Sequence, residues 1–431
     1  MRSLIFNKYL WTLTLGHFTI DLYSGAMPVV LLYLTTSLGL SLGQVGLLSA
    51  LYSLCSSLSQ PIFGYMSDHY GGRWLATGGL LWMSIIQGLV GFVPDFNTLL
   101  IILPLAGFGA AAFHPPSASS ANKTSGEKKS AGMAIFLLGG NGGFAVGPVV
   151  AAMVLGGFAL GNFALLQGFG LHGTAVISLV GLVIAPILYI LSTRHQPPRA
   201  AASLERATAS RRIEFNPAFS RVAIIALLLV MSLRAWSQSS VSLYVPQFFT
   251  SIAGMTIAEV SRLSFVILGS LSIGSLFGGF LADRIGGRTV MVVSFLIGTP
   301  ASVALFALPD LNIYGSAVVL GFVTGAAWPP TLVMAQELMP KNAGVASGIA
   351  LGFVFGMGGV GNYITGVLAE RIGLLNGMLL VSGLPLLAAL CTLALPSHRA
   401  VASAAKTARA SMEPPPALEP SVVSASEAGG G

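Results

Sequence analysis

The long apolar stretches of this 431-residue chain hold few ionisable side chains. A charged group inside a membrane helix costs roughly 2.5–3.5 kcal/mol on insertion scales, so each needs a reason to be there. His17 and Asp21 are four residues apart, which puts them on one helix face, continued by Ser24 and Pro28. A carboxylate beside an imidazole in a poorly solvated cavity can exchange a proton near neutral pH. The same pair would also serve as a static hydrogen-bonded strut. His114 precedes Pro115 and Pro116, which lack backbone donors, so its helix is expected to kink or break there. Freed carbonyls beside an imidazole suit a cavity wall, or the histidine caps them. Arg234 is the only basic residue deep in an apolar run, with Gln238 one turn on. Its guanidinium can grip a carboxylate or phosphonate through two hydrogen bonds, or pair with Asp21. Trp328 offers an aromatic wall. Asn141 could line a cavity or bond between helices, and Tyr23 is a further candidate substrate contact. His172 reads as structural, and His69 and His195 as loop residues.

The elements that must position these groups are membrane helices. Hydrophobic residues make up 54% of the chain and charged residues only 8%, against about 25% charged in soluble domains. So few charges cannot cover a soluble surface of this size. A soluble enzyme, a disordered chain and a nucleic-acid binder are therefore excluded, and lipid is the required solvent. Twelve stretches are long enough to cross a bilayer core of about 30 Å: 9–35, 44–66, 74–93, 98–120, 131–155, 169–191, 219–249, 258–281, 289–308, 312–335, 343–368 and 374–395. The stretch from Gly156 to Gly170 is apolar without clearly spanning. The first run is not read as a signal peptide, because His17 and Asp21 would interrupt its apolar core.

The expected organisation is a six-helix bundle over 1–191, a basic cytoplasmic linker over 192–217, a second bundle over 218–395 and a disordered cytoplasmic tail over 396–431. With the N-terminus inside, 18 of the 21 Lys and Arg residues fall on the inner side, so the net charge of +7 is an orientation signal. Cys55 and Cys391 lie in apolar runs, which argues against a disulfide framework. Neither a cysteine–histidine metal cluster nor a nucleotide-binding loop is present in the sequence, so no metal, no cofactor and no ATP-driven step are expected.

The halves repeat each other. Residues 64–73 read GYMSDHYGGR and 279–288 read GFLADRIGGR, identical at five of ten positions at an offset of 215. Leu40 to Val45 faces Met255 to Val260 at that offset. His114-Pro115-Pro116 faces Trp328-Pro329-Pro330, and Gly140-Asn141-Gly142-Gly143 faces Gly356-Met357-Gly358-Gly359. Parallel repeats with a substrate site between them are a transporter architecture.

The doubled Gly-x3-Asp-x2-Gly-Gly-Arg loop resembles the signature loop of the major facilitator superfamily. Gly16-His17-x3-Asp21, Phe113-His114-Pro115 and Gly139-Gly140-Asn141-x5-Gly147-Pro148 resemble the fosmidomycin resistance protein family, over the N-terminal half only. The resemblance implies an all-α membrane fold of two six-helix repeats, with helices one, four, seven and ten lining a central cavity. It implies that Asp68, Arg73, Asp283, Arg284 and Arg288 form cytoplasmic charge networks that hold one access state. It implies that Gly147 and Pro148 belong to the helix-five motif of antiporters, although Ala151 and Ala152 stand where that motif often ends in Gly-Gly. Leu103 replaces the helix-four arginine of many drug–proton antiporters, which points coupling to His17, Asp21 and His114. Pro116 stands where a polar or acidic residue was expected.

The expected function is proton-driven export of a small anionic, fosmidomycin-like antibiotic by alternating access, from the bacterial inner membrane, by a monomer. The alternative is a proton symporter importing a small organic anion. An intramembrane lipid transferase would need catalytic groups clustered at one interface, and a non-transporting sensor would bind without flux.

Overall fold

The computed structural model describes residues 6–125, 129–160, 163–194, 219–338 and 343–397. The expected linker beyond Arg194 and the tail beyond Ser397 lie outside them. Twelve described helices are long and apolar enough to span a membrane. The first half contains α1 (Lys8–Leu38), α2 (Leu42–Met66), α3 (Gly72–Leu89), α4 (Phe96–Thr124), α5 (Lys129–Gly156) and α6 (Gly173–Arg194). The second contains α7 (Arg221–Ser251), α8 (Ile257–Ile285), α9 (Gly287–Ala307), α10 in two parts (Pro309–Ala326 and Trp328–Leu338), α11 (Ala343–Ile372) and α12 (Leu374–Thr392). The ambiguous stretch after Gly156 is a hairpin, β1 (Gly157–Leu160) against β2 (Phe163–Gln167). Its backbone groups pair across the hairpin instead of within a helix, so it adds no span.

Local chemistry repeats with the sequence. Ser41 and Gln44 form a capping box at the start of α2, and Thr256 and Glu259 form the same box at α8, 215 residues on. Gly71 and Gly286 occupy matching positive-φ positions, +103° and +89°, before α3 and α9. A side chain there would be strained, which accounts for the first glycine of each Gly-Gly-Arg loop. A Cβ on the second, Gly72 or Gly287, would lie 2.9 Å from Cβ of Pro116 or Pro330. Pro116 is thus a packing partner of the signature loop, as its counterpart Pro330 is in the second half. Outward faces remain apolar: Leu276, Phe280 and Val222 are each more than half exposed. Only lipid satisfies such surfaces.

The proline expectation divides between the halves. α4 runs as one helix through Pro115 and Pro116, whereas its counterpart α10 breaks at Ala327, just before Trp328. The lost N–H donors of a Pro-Pro pair were expected to interrupt α4. In the structure His114 Nδ1 instead bonds the Ala110 carbonyl at 2.8 Å within the same turn.

The halves are closed together at the far end, away from the start of α1. There α2 packs along α11, and α5 against α8. Gly43 N donates to Glu370 at 2.8 Å. Asn362, 2% exposed, donates to Ser49 Oγ at 2.9 Å and to Ser239 Oγ at 2.8 Å. It also accepts from Ser240 through its side-chain oxygen, and from Tyr244 through its backbone carbonyl. Tyr244 OH reaches the Leu42 carbonyl across the seam at 3.1 Å. Further in, Gly25 and Pro28 of α1 and Val241, Ser242 and Val245 of α7 surround one small void. The same face of α5 carries Phe144 and Pro148 at that void but leaves Asn141 and Leu137 exposed towards the near end. The halves therefore part below it, leaving a cleft that opens at the near end.

Asn362→Ala would leave up to three hydroxyls of the far-end seam without their partner, at a cost of about 1–3 kcal/mol. We expect a cysteine placed at Ser53, which packs on Gly359 in this seam, to react faster with a membrane-impermeant thiol reagent in that variant. The expected gain is about 5- to 150-fold. An unchanged alkylation rate would show that the seam does not hold the far end shut.

Candidate functional site

Three helices bring the first cluster together. α1 carries His17 and Asp21, α4 carries His114, and α5 supplies a small-residue face. His17 Nε2 lies 3.3 Å from Asp21 Oδ2, and His114 Nε2 lies 3.3 Å from Asp21 Oδ1. The two imidazoles meet edge to face with centroids 5.2 Å apart. The His17 ring stacks on Phe136 at 4.2 Å, and its Nδ1 bonds the Phe136 carbonyl at 2.9 Å. Side-chain exposures of 8% for His17, 22% for Asp21 and 27% for His114 leave one side of the cluster facing the cleft.

The backbone contacts fix the tautomers. A carbonyl oxygen can only accept, so both Nδ1 atoms carry their protons. Both Nε2 atoms then face the carboxylate with either a lone pair or an N–H. With two protons, each carboxylate oxygen receives one charge-assisted hydrogen bond. With one proton, a nitrogen lone pair faces a carboxylate oxygen; with none, two do. The geometry thus accommodates a second proton, with His114 Nε2 in hydrogen-bonding contact with Asp21 Oδ1 and His17 Nε2 at 3.3 Å from Oδ2.

The second cluster belongs to the C-terminal half. Arg234, 4% exposed, donates from Nη1 to Gln238 Oε1 at 2.6 Å, and its Cζ sits 4.3 Å from the Trp328 ring centroid. Arg234 Nε is buried without a hydrogen-bond partner among the described residues. The Asp21–Arg234 ion pair considered from the sequence does not form here; among the described residues Asp21 pairs with the two histidines. Position along the helices explains this. Asp21 lies about one turn below Gly25 and two below Pro28, whereas Arg234 lies about two turns below Val241 and three below Val245, so Arg234 is the lower of the two relative to this void. The two clusters occupy opposite walls of the same cleft.

Asn141 is exposed on the cleft-facing side of α5. Tyr23 is not at the cleft. It is fully buried in the first half, donating to the Ser178 carbonyl at 3.1 Å and accepting from Gly181 N at 3.0 Å, with Ser84 at 3.2 Å. Those contacts use its hydroxyl, so Tyr23 joins α1, α3 and α6 instead of offering itself to a substrate. Gly147 lets α5 approach the backbone of Gly25 and Ala26. His172 lies outside the cleft, its ring 4.8 Å from that of Phe92.

The expected charge networks take another form. The Asp68 side chain lies outside the described residues. Arg73 lies over the rings of Trp74 and Tyr189, at 5.2 and 4.9 Å, and pairs with no carboxylate among the described residues. Arg288 donates to the Leu393 carbonyl. Asp283 and Arg284 are exposed and make no ion pair among the described residues. The near ends of the halves are apart, and among the described residues these charges have no ion-pair partner across the cleft. The sequence pointed to none of Asn362, Tyr244 or Glu370, which tie the far end; only the Gly-x-Gly-Gly repeat in α11 placed small residues nearby.

Gly140 permits the first cluster. A Cβ there would stand 2.5 Å from Asp21 Oδ2 and from His17 Nε2, whereas one at Gly142 would meet only Phe18 at 3.7 Å. Gly140→Ala is expected to destabilise the purified protein by about 1–3 kcal/mol through overpacking. Gly142→Ala should be neutral or stabilising by about 0.4–1 kcal/mol. Melting curves in detergent check the ordering, and equal melting of the two variants would contradict the packing account.

A family model described as Major Facilitator Superfamily matches residues 13–361 and 227–424. The fosmidomycin resistance protein of Escherichia coli is 30% identical over 90% of this chain and 93% of its own length. An uncharacterized MFS-type transporter of Bacillus subtilis, YfnC, is 30% identical over 89% of this chain and 91% of its own. Among solved structures, a bacterial homologue of the human lysosomal transporter Spinster, inward-facing and unoccupied, superposes with a TM-score of 0.77 at 18% identity, covering 92% of this chain and 97% of that one. With two six-helix repeats around a polar cleft, this chain is a multi-pass membrane transporter and belongs to the major facilitator superfamily.

Proposed function

We propose that the protein exports a small anionic antibiotic or related compound in exchange for protons, by alternating access. The observation that carries this reading is the separation of two unlike clusters across one cleft: a buried guanidinium with an unused donor, and a carboxylate between two imidazoles. The likeness to a fosmidomycin resistance protein supports the substrate class. With the N-terminus cytoplasmic, the cleft opens to the cytoplasm and the Asn362 seam closes the periplasmic side.

In the proposed cycle the anion enters from the cytoplasm and meets Arg234, whose face is held by Trp328 and whose Nη1 is set by Gln238. A guanidinium suits a carboxylate or phosphonate because its planar donors pair with two oxygens at once. Asn141 adds a polar contact from the opposite half. Closure of the near end brings Asp68, Arg73, Asp283, Arg284 and Arg288 towards partners, while the far-end seam opens. Protons from outside then load His17, Asp21 and His114. The extra positive charge stabilises the emptied, outward-open cleft for its return, and the protons leave to the cytoplasm. The inward proton gradient gives the cycle its direction.

The test is proton movement in acidified inverted vesicles on adding fosmidomycin. Wild-type vesicles should release protons, and Asp21→Asn vesicles should not. Arg234→Lys should retain coupling but lose the bidentate grip and the ring contact, raising the half-saturating drug concentration about 10- to 150-fold, as loss of about 1.5–3 kcal/mol implies. Drug transport by wild type without proton movement would sink the coupling scheme, and no response to the drug would remove fosmidomycin as substrate.

A further inference from the structure

The cluster that the structure assembles from His17, Asp21 and His114 also has the donor set of a metal site. We propose that these three side chains bind a divalent first-row transition ion of the Zn2+ class, with a fourth coordination position open to the cleft. No metal-ligand spacing is visible along the chain because His114 is 93 residues from Asp21. The helices bring one ligand atom from each residue to within 4.8 Å of the others.

Four features support this assignment. First, two imidazole nitrogens and a carboxylate are a common ligand set for Zn2+, and imidazole favours such ions over Mg2+ or Ca2+. Second, Zn–N and Zn–O bonds of about 2.0–2.1 Å in a tetrahedron set neighbouring ligand atoms about 3.3–3.4 Å apart. Whichever Asp21 oxygen binds, one Nε2 already lies 3.3 Å from it, and the three ligand atoms, all within 4.8 Å of one another, need only small side-chain shifts to close on an ion. Third, the outer contacts are in place: both histidines donate Nδ1–H to backbone carbonyls, of Phe136 and Ala110, leaving Nε2 as the donor atom. Metal-ligating histidines almost always have such a partner, which fixes tautomer and ring orientation. Fourth, the cluster is partly exposed to the cleft, so an ion has an entry path and water or an anion has room at the remaining position.

The ion would occupy the place of the protons. In the proton-free state two nitrogen lone pairs face a carboxylate, and a divalent cation relieves that repulsion as two protons do. Binding therefore releases the protons held at Nε2, and acid weakens it. The groups facing the cluster are few. Gly140 and Phe136 of α5 are uncharged, Tyr52 of α2 bonds Ser24 on α1, and Arg234 stands across the cleft. The assignment does not depend on which compound is transported, and a protein that ignored fosmidomycin would still be expected to bind the ion.

The test uses purified full-length protein in nanodiscs with His69→Ala, which removes an exposed imidazole in the helical turn Ser67–Gly71. Calorimetric titration should show one saturable Zn2+ site per chain, weaker at about pH 5.5 than at about pH 7.5, and no competition by Mg2+. His114→Gln and Asp21→Asn should each weaken binding by more than about 100-fold, beyond the 10- to 100-fold typical of outer-sphere changes. X-ray absorption on the Zn2+-loaded protein without site substitutions should give two imidazole ligands, a readout that does not require the variants to fold. No saturable site, fewer than two imidazoles, or affinity kept in a folded His114→Gln variant would overturn the proposal.

Discussion

Asp21 is a carboxylate inside a membrane helix, and its satisfaction by two imidazoles is the interaction on which the first half is organised. A lone charge there is costly, so its partners must be close and fixed. One partner comes from the next turn of α1 and the other from α4. Each histidine is anchored in turn by a backbone carbonyl, His17 to α5 and His114 within its own helix. The cluster therefore requires α1, α4 and α5 to meet at one level. In lipid there is no hydrophobic drive to bring helices together, so small residues and polar contacts carry the association. The glycine-rich face of α5 meets that need.

The second half uses the same scaffold for different chemistry. The capping boxes of α2 and α8, the positive-φ glycines before α3 and α9 and the proline contacts of the Gly-Gly-Arg loops all repeat. The cleft residues do not. His114 on α4 is answered by Trp328 on α10, and the helix that continues in one half breaks in the other. A titratable group thus faces an aromatic that shields a guanidinium. The scaffold keeps its symmetry because both halves must pack the same six-helix arrangement. The walls lose it: one carries two imidazoles and a carboxylate, the other a guanidinium beside an indole.

The far-end seam depends on short polar side chains and glycines instead of ion pairs. Asn362 joins α11 to α2 and α7, and Tyr244 adds a bond across the halves. Hydrogen bonds of this kind are each modest in net strength. Their number closes the seam, and their individual weakness leaves it able to open. At the other end, where the halves are apart, Arg73 rests on aromatic rings and Arg288 on a carbonyl.

The sequence by itself determined the solvent, the number of spans, the two-fold repeat and the identity of the rare buried ionisable groups. These follow from composition, run length and internal matching, which need no distances. It misplaced Tyr23, because a single sequence does not say which face of α1 turns inward to α3 and α6. It left open whether Arg234 pairs with Asp21, because that depends on the relative height of two helices in different halves. It did not point to the Asn362 seam, whose residues are ordinary serines, a tyrosine and an asparagine. Only the tertiary structure decided that His114 joins His17 around Asp21. Those residues are far apart in the chain, and their convergence is set by how α1, α4 and α5 pack.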